Sequence, residues 1–197
     1  MRNVLIIAAL LAAPAAALAE GISYTYVDAR YFSTDSDALS VDQHGGTIGG
    51  SFALSPIFYV AADGQFGQSE RITVGADSGR FNTISGSARL GAHHALTPTL
   101  DIIVDGGALY SEFKGKGAFN GQSDDDIGYT AQAGLRLALV PQVEVSAFYA
   151  YQDVLDSDNS FFTADLQYHF TDHVSLVGSA TNARSVDFYT VGARYRF

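Results

Sequence analysis

The chain has no cysteine and no tryptophan, one methionine and only four prolines in 197 residues. Without cysteine there is no disulfide framework, so packing and hydrogen bonding must hold the fold. Without tryptophan, the aromatic complement is 11 tyrosines and 13 phenylalanines. Basic residues are few: 11 Lys and Arg stand against 21 Asp and Glu, a formal net charge of −10. That balance argues against a nucleic-acid partner and against adsorption to anionic lipid. Beyond residue 19, no segment reaches the apolar length of a spanning helix.

What is present begins with a short cationic start, Met1-Arg2-Asn3, followed by an apolar stretch from Val4 to Leu18 and the small-x-small site Ala17-Leu18-Ala19. This pattern predicts a secretory signal peptide over 1–19, cleaved before Glu20. The run is too short for a membrane helix and has no stop-transfer flank. Residues 20–197 then form one domain.

One short pattern recurs along that domain. It reads Phe52-Ala53-Leu54-Ser55-Pro56-Ile57-Phe58, then His94-Ala95-Leu96-Thr97-Pro98-Thr99-Leu100, then Leu137-Ala138-Leu139-Val140-Pro141-Gln142-Val143. A looser copy is Tyr168-His169-Phe170-Thr171-Asp172-His173-Val174. Proline cannot donate to a sheet ladder, so each copy marks a bend between apolar segments. Between the bends lie longer segments rich in Asp, Ser, Gly and Asn, at 33–43, 69–80, 114–126, 153–159 and 183–185. Four short turns alternating with five longer loops predict ten antiparallel strands. These fall at 22–32, 45–54, 57–68, 82–95, 100–112, 127–139, 143–152, 160–170, 174–182 and 187–197. An eight-stranded alternative would lose a hairpin near 45–54 or 82–95.

Side-chain parity sorts the strands into two faces. In the last segment Tyr189, Val191, Ala193, Tyr195 and Phe197 share one face, and Thr190, Gly192, Arg194 and Arg196 the other. The apolar face continues through residues such as Ile48, Val60, Ile84, Leu90, Val104, Leu135, Val143 and Leu166. With the proline turns placed low, Phe52, Phe58, Tyr168, Phe170, Tyr195 and Phe197 form a lower aromatic belt. Phe66, Tyr110, Tyr129, Tyr149, Tyr151, Phe162 and Tyr189 form an upper one. Two aromatic belts around an aliphatic band predict a transmembrane, antiparallel, up-and-down β-barrel of the all-β class. In the first strand, Ile22, Tyr24 and Tyr26 compete with Val27, Ala29 and Tyr31 for the outer face. Placing the second set outward sends Asp28 and Arg30 inward.

The inward face collects the acids Asp28, Asp63, Asp101, Asp105, Glu144 and Asp165. It also collects the bases Arg30, Arg89, Arg136, Arg194 and Arg196. Charges inside a narrow barrel need partners. These residues therefore predict an ionic plug, with Arg194 and Arg196 as partners of Asp101 and Glu144 and with His169 in the lower layer. A narrow pore is the alternative.

The layout and the terminal aromatic motif resemble the small bacterial outer-membrane barrels of the OmpX and OmpA-barrel type. The opening Gly21-Ile22-Ser23-Tyr24-Thr25-Tyr26-Val27-Asp28 also resembles small barrels labelled diffusible-signal-factor-like. The resemblance implies residence in the outer membrane among its lipid and lipopolysaccharide. It also implies assembly through the barrel-assembly machinery, with Tyr195 and Phe197 as the signal read. Some barrels of this kind are lipid A-modifying enzymes that use a His-x-Ser pair. Here the one such pair is His173-Val174-Ser175, but Leu176 stands where the family has Asn, and the pair sits at a short turn. Asp124-Asp125-Asp126 and Asp156-Ser157-Asp158 lack the Gly and distal Glu of a calcium loop. Divalent cations at these acidic loops remain an expectation for the surface. The expected function is a non-enzymatic outer-membrane barrel with a plugged lumen, no cofactor, no resident metal, and a structural or surface-interaction role.

Overall fold

Long alternation of apolar and polar residues, broken at the short bends and the polar loops, leaves the chain one regular solution in lipid, a closed sheet with no unpaired edge. The computed structural model describes residues 22–36, 42–75, 77–155, 157–183 and 186–197. Its strands are β1 (Tyr26–Ser36), β2 (Gln43–Ala53), β3 (Phe58–Ser69), β4 (Ile72–Val74), β5 (Asp77–Thr97) and β6 (Leu100–Gly117). They continue as β7 (Ser123–Val140), β8 (Val143–Val154), β9 (Ser157–His169), β10 (Val174–Ala183) and β11 (Val186–Arg196). β4 pairs only with the top of β5. The other ten close into an antiparallel barrel, with β3 beside β5 and β1 beside β11. The ten-strand count is met. The expected signal peptide lies outside the described residues.

The recurrent bends work through hydroxyls. Ser55 Oγ accepts from the N–H groups of Ile57 and Phe58 at 3.1 and 2.9 Å. Thr171 Oγ1 accepts from Val174 at 3.0 Å, and Thr97 Oγ1 accepts from Thr99 at 3.3 Å. Each hydroxyl replaces a ladder bond that the turn cannot make. The copy with Val140 before proline has no hydroxyl; its register shifts between Ala138 and Val140, as that of the Thr97 copy does between Ala95 and Thr97.

At the other end the strands run further than the composition suggested. Much of the expected loops 69–80 and 114–126 is strand. β5 has 21 residues; at ~3.3 Å per residue and ~40° tilt it rises about 50 Å, roughly twice the ~25 Å apolar band. The upper ends of β5 and β6 therefore stand well clear of the membrane. Phe81 fills it, packed on Phe113 and Phe119 with centroids 6.2 and 4.8 Å apart. The turn beyond β6 needs positive φ at Gly117 (71°) and Gly121 (92°), which only glycine adopts without strain.

The outer face is exposed and aliphatic in mid-strand, with Ile48 at 68% and Val104 at 57%. Val27 and Tyr31 point outward while Asp28 and Phe32 are buried, so β1 takes the parity expected without a bulge. β1 begins at Tyr26, however, four residues later than predicted, because residues 22–25 leave the wall and enter the base of the lumen. Val143 departs from its expected outward place: it is buried and lines a basal cavity with Ile22, Glu144 and His169. It pairs with Val140 beside the β7 register shift.

Candidate functional site: the filled lumen

The base of the lumen is built around a tyrosine from off the wall. Tyr24 donates from its hydroxyl to Asp101 Oδ2 at 2.8 Å and stacks on His93 with centroids 3.7 Å apart. The Arg136 guanidinium lies 4.7 Å from the Tyr24 ring centroid and donates to the Ser23 carbonyl at 3.3 Å. Tyr59, from β3, donates to Asp105 Oδ2 at 2.6 Å. Its ring lies over Gly91, where a Cβ would come within 2.2 Å of it. Tyr24, Tyr59, Ala61 and Ile103 make the small apolar core of this layer.

Three ionic groupings surround it. Arg136 donates from Nε and Nη2 to Glu144 Oε1 at 2.8 and 2.5 Å. Arg194 donates twice to Asp28 Oδ2, at 3.0 and 2.7 Å, and once to Gln167 Oε1 at 3.0 Å. Arg30 also donates to Asp28 Oδ2, at 2.8 Å. Arg89 donates to Asp63 Oδ1 at 3.1 Å and lies 3.7 Å from Asp105. Gln132 donates to Asp105 Oδ2 at 2.9 Å. Asp28, Asp105, Arg136, Glu144 and Arg194 are buried, where an unpaired charge is costly and a hydrogen-bonded pair is tolerated, while Asp63 opens to the lumen water.

The pairing differs from the one expected. Arg194 holds Asp28, not Asp101 or Glu144, because the two residues stand directly opposite across the closing β1–β11 seam. Arg196 donates to the Asp172 carbonyl at 3.1 Å. Glu144 takes Arg136, which sits diagonally across β7–β8, and Asp101 takes Tyr24. His169 Nδ1 lies 2.7 Å from Ser175 Oγ, and its Nε2 is 4.0 Å from Glu144 Oε2. Asp165 lines the lumen but has no hydrogen bond or ion pair among the described residues. Sequence reasoning passed over Tyr24 and Tyr59. Parity would have sent Tyr59 inward, but nothing in a single strand shows that residues 22–25 fold under the barrel.

The His-x-Ser pair does not come together. His173 Nδ1 lies 3.0 Å from the Arg196 carbonyl oxygen, and its ring stacks on Tyr195. Ser175 instead meets His169, and it is 1% exposed. A hydroxyl beside an imidazole and a carboxylate has the parts of an activated nucleophile, but here no substrate carbonyl could approach it.

Cavities run along the lumen. The upper one, of about 270 Å³, is lined by Asp28, Arg30, Asp63, Arg89, Asp165 and Arg194, among others. Below it lies one of about 60 Å³ that touches Tyr24, Tyr59 and Arg136. A basal one of about 220 Å³ touches Ile22, Glu144, His169 and Arg196. The Tyr24–Arg136–Glu144 layer separates the last two.

At the upper rim, three carboxylate pairs face each other across strands on the outer side: Asp35 with Asp187, Glu112 with Asp125, and Asp153 with Asp158. Glu112 is also paired with Lys114. Asp126 is engaged inward, accepting from the N–H groups of Ile127 and Leu155 at 2.8 and 2.9 Å. That bond holds Leu155 at its positive φ of 57°. Asp156 lies outside the described residues, and among the described residues no three acids and histidines converge on a metal position. Tyr195 and Phe197 are exposed at the lower belt, their rings 5.2 Å apart.

Closed strands, an aliphatic outer band between aromatic belts and an ionic interior define a transmembrane β-barrel of the outer-membrane class. The chain belongs to the outer membrane protein β-barrel domain family, whose model matches residues 5–197. Solved barrels share the fold at low identity. A KdgM porin, solved in complex with disordered oligogalacturonate, is 12% identical with a TM-score of 0.52, covering 87% of this chain and 99% of that one. The NanC porin is 9% identical with a TM-score of 0.53, covering 87% of this chain and 100% of that one. The outer membrane protein OprG of Pseudomonas aeruginosa is 12% identical with a TM-score of 0.50, covering 90% and 98%. No curated protein sequence matches the chain.

Proposed function

We propose that the protein is a non-enzymatic structural barrel of the outer membrane, exported by a cleaved leader over residues 1–19, whose lumen is closed by its own side chains. The observation that carries this reading is the Tyr24–Arg136–Glu144 layer, which lies between the middle and basal cavities. The sealed Ser175–His169 pair supports the non-enzymatic part, since a nucleophile must meet its substrate. Tyr195 and Phe197 suit the assembly signal, being exposed and aromatic at the low end of β11. Single-channel recording of refolded protein in planar bilayers tests the closure. The expected result is a flat baseline at moderate voltage. Reproducible unitary steps from the wild-type protein would replace this reading with a narrow pore.

A second role, surface interaction, rests on the outward carboxylate pairs. Like charges directly opposite on neighbouring strands destabilise by ~0.2–1 kcal/mol per pair. Divalent cations bridging these acids to lipopolysaccharide phosphates relieve that repulsion just above the upper aromatic belt.

A further inference from the structure

The interior below the rim holds six carboxylates, Asp28, Asp63, Asp101, Asp105, Glu144 and Asp165, against the five guanidiniums of Arg30, Arg89, Arg136, Arg194 and Arg196. The geometry shares the guanidiniums unevenly. Asp28 binds Arg30 and Arg194, Asp63 binds Arg89, and Glu144 binds Arg136. Asp105 takes Tyr59 and Gln132, and Asp101 takes Tyr24. Among the described residues Asp165 alone of these acids has no partner, and it lines the 270 Å³ cavity. The nearest cations are spoken for, since Asp28 engages both Arg30 and Arg194 through one oxygen.

The wall around Asp165 supplies neutral acceptors. Ser146 and Ser179 stand directly opposite it on the neighbouring strands, with the Ser179 hydroxyl already accepting from Arg30 Nη1 at 2.9 Å. Hydroxyl pairs follow at Thr163–Thr181 and Ser179–Thr190, each 2.8 Å apart. Phe148 adds an apolar surface to the same cavity. At ~30 Å³ per water the space would hold about nine waters, too much for a bare ion and suited to a compact organic molecule. We propose that this cavity is a binding site for a small primary amine, its ammonium held by Asp165 and neighbouring hydroxyls. An ammonium carries three donors and no acceptor, and the cavity, whose other acids Asp28 and Asp63 hold its three guanidiniums, offers the unpaired Asp165 carboxylate beside the Thr163–Thr181 hydroxyls.

This inference does not depend on the closed base, because binding is read by heat and shift and closure by current. Ethanolamine is the probe, titrated into refolded full-length barrel in neutral detergent by calorimetry, with acetate as the anion arm. The expected result is saturable ethanolamine binding, weakened at least tenfold in Asp165→Asn and unchanged in the rim variant Asp153→Asn. Acetate should give no binding heat. Amide shifts in the wild-type protein locate the site without any variant and should cluster at Ser146, Asp165 and Ser179. The proposal is overturned if ethanolamine does not saturate, if Asp165→Asn keeps wild-type affinity, or if the shifts fall on Asp125 and Asp153 at the rim.

Discussion

Arg136→Ala removes the guanidinium at the centre of the proposed basal closure. It deletes two bonds to Glu144, the bond to the Ser23 carbonyl and the contact with the Tyr24 ring. The dominant effect is what it leaves behind. Glu144 is 4% exposed and would keep no hydrogen-bonded cation: His169 is 4.0 Å away, and Arg196, which lines the same basal cavity, donates to the Asp172 carbonyl. An abandoned buried charge costs about 3–5 kcal/mol, whereas an exposed pair would cost under ~1 kcal/mol. Urea unfolding of the refolded barrel, followed by heat-modifiable migration on SDS gels, measures this loss. The double variant Arg136→Ala with Glu144→Ala leaves no orphan charge, so it should recover most of the stability. It should also join the middle and basal cavities and give unitary currents in planar bilayers where the wild type gives none. A cost below ~1 kcal/mol for the single variant would show that the pair is water-exposed. A stable but silent double variant would show that the lumen is blocked elsewhere.

Two further outcomes follow from parity and from the rim. Val104→Arg, outward at 57% exposure, should cost ~2–4 kcal/mol or prevent insertion, while Asp105→Asn, one residue on and facing Tyr59, should cost far less; urea midpoints in detergent compare them, and the reverse order would invert the faces. Magnesium should raise the unfolding temperature in vesicles containing lipopolysaccharide, chelator should abolish the gain, and Asp153→Asn with Asp158→Asn should reduce it; an equal gain in vesicles free of lipopolysaccharide would remove the bridging role.

The wall of the barrel was legible because it follows from local rules. Ser55-Pro56 and Thr97-Pro98 announce turns through a missing donor and an added hydroxyl, and alternation places Ile48 and Val104 outside from one strand alone. The interior follows a different rule. A side chain's inward direction is local, but its partner depends on which strands meet and in what register. Arg194 and Arg196 have the same parity, yet one meets a carboxylate and the other a carbonyl. Tyr24 was illegible for a related reason. Its alternation continues that of β1, so it reads as wall, and only the tertiary demand of Asp101 and Arg136 draws residues 22–25 under the lumen.

The seam shows what the misread pairing does for the fold. β1 and β11 must find each other across the whole length of the chain, and no hairpin turn fixes their register. Alanine opposite alanine at Ala29↔Ala193 specifies little. Asp28 opposite Arg194 specifies a great deal. If either strand alone slipped by one residue, every side chain on it would change faces, carrying a charged group from this cluster into lipid. An arginine there costs ~2–4 kcal/mol at mid-bilayer depth, and its partner would be left buried and alone. The Asp28–Arg194 pair therefore acts less as a source of stability than as a register lock, the use of buried ion pairs with the best physical support. The same economy of partners explains the open cavity above it: Asp28 holds two arginines at the seam, and Asp165, three strands away around the barrel, is left facing the lumen without one.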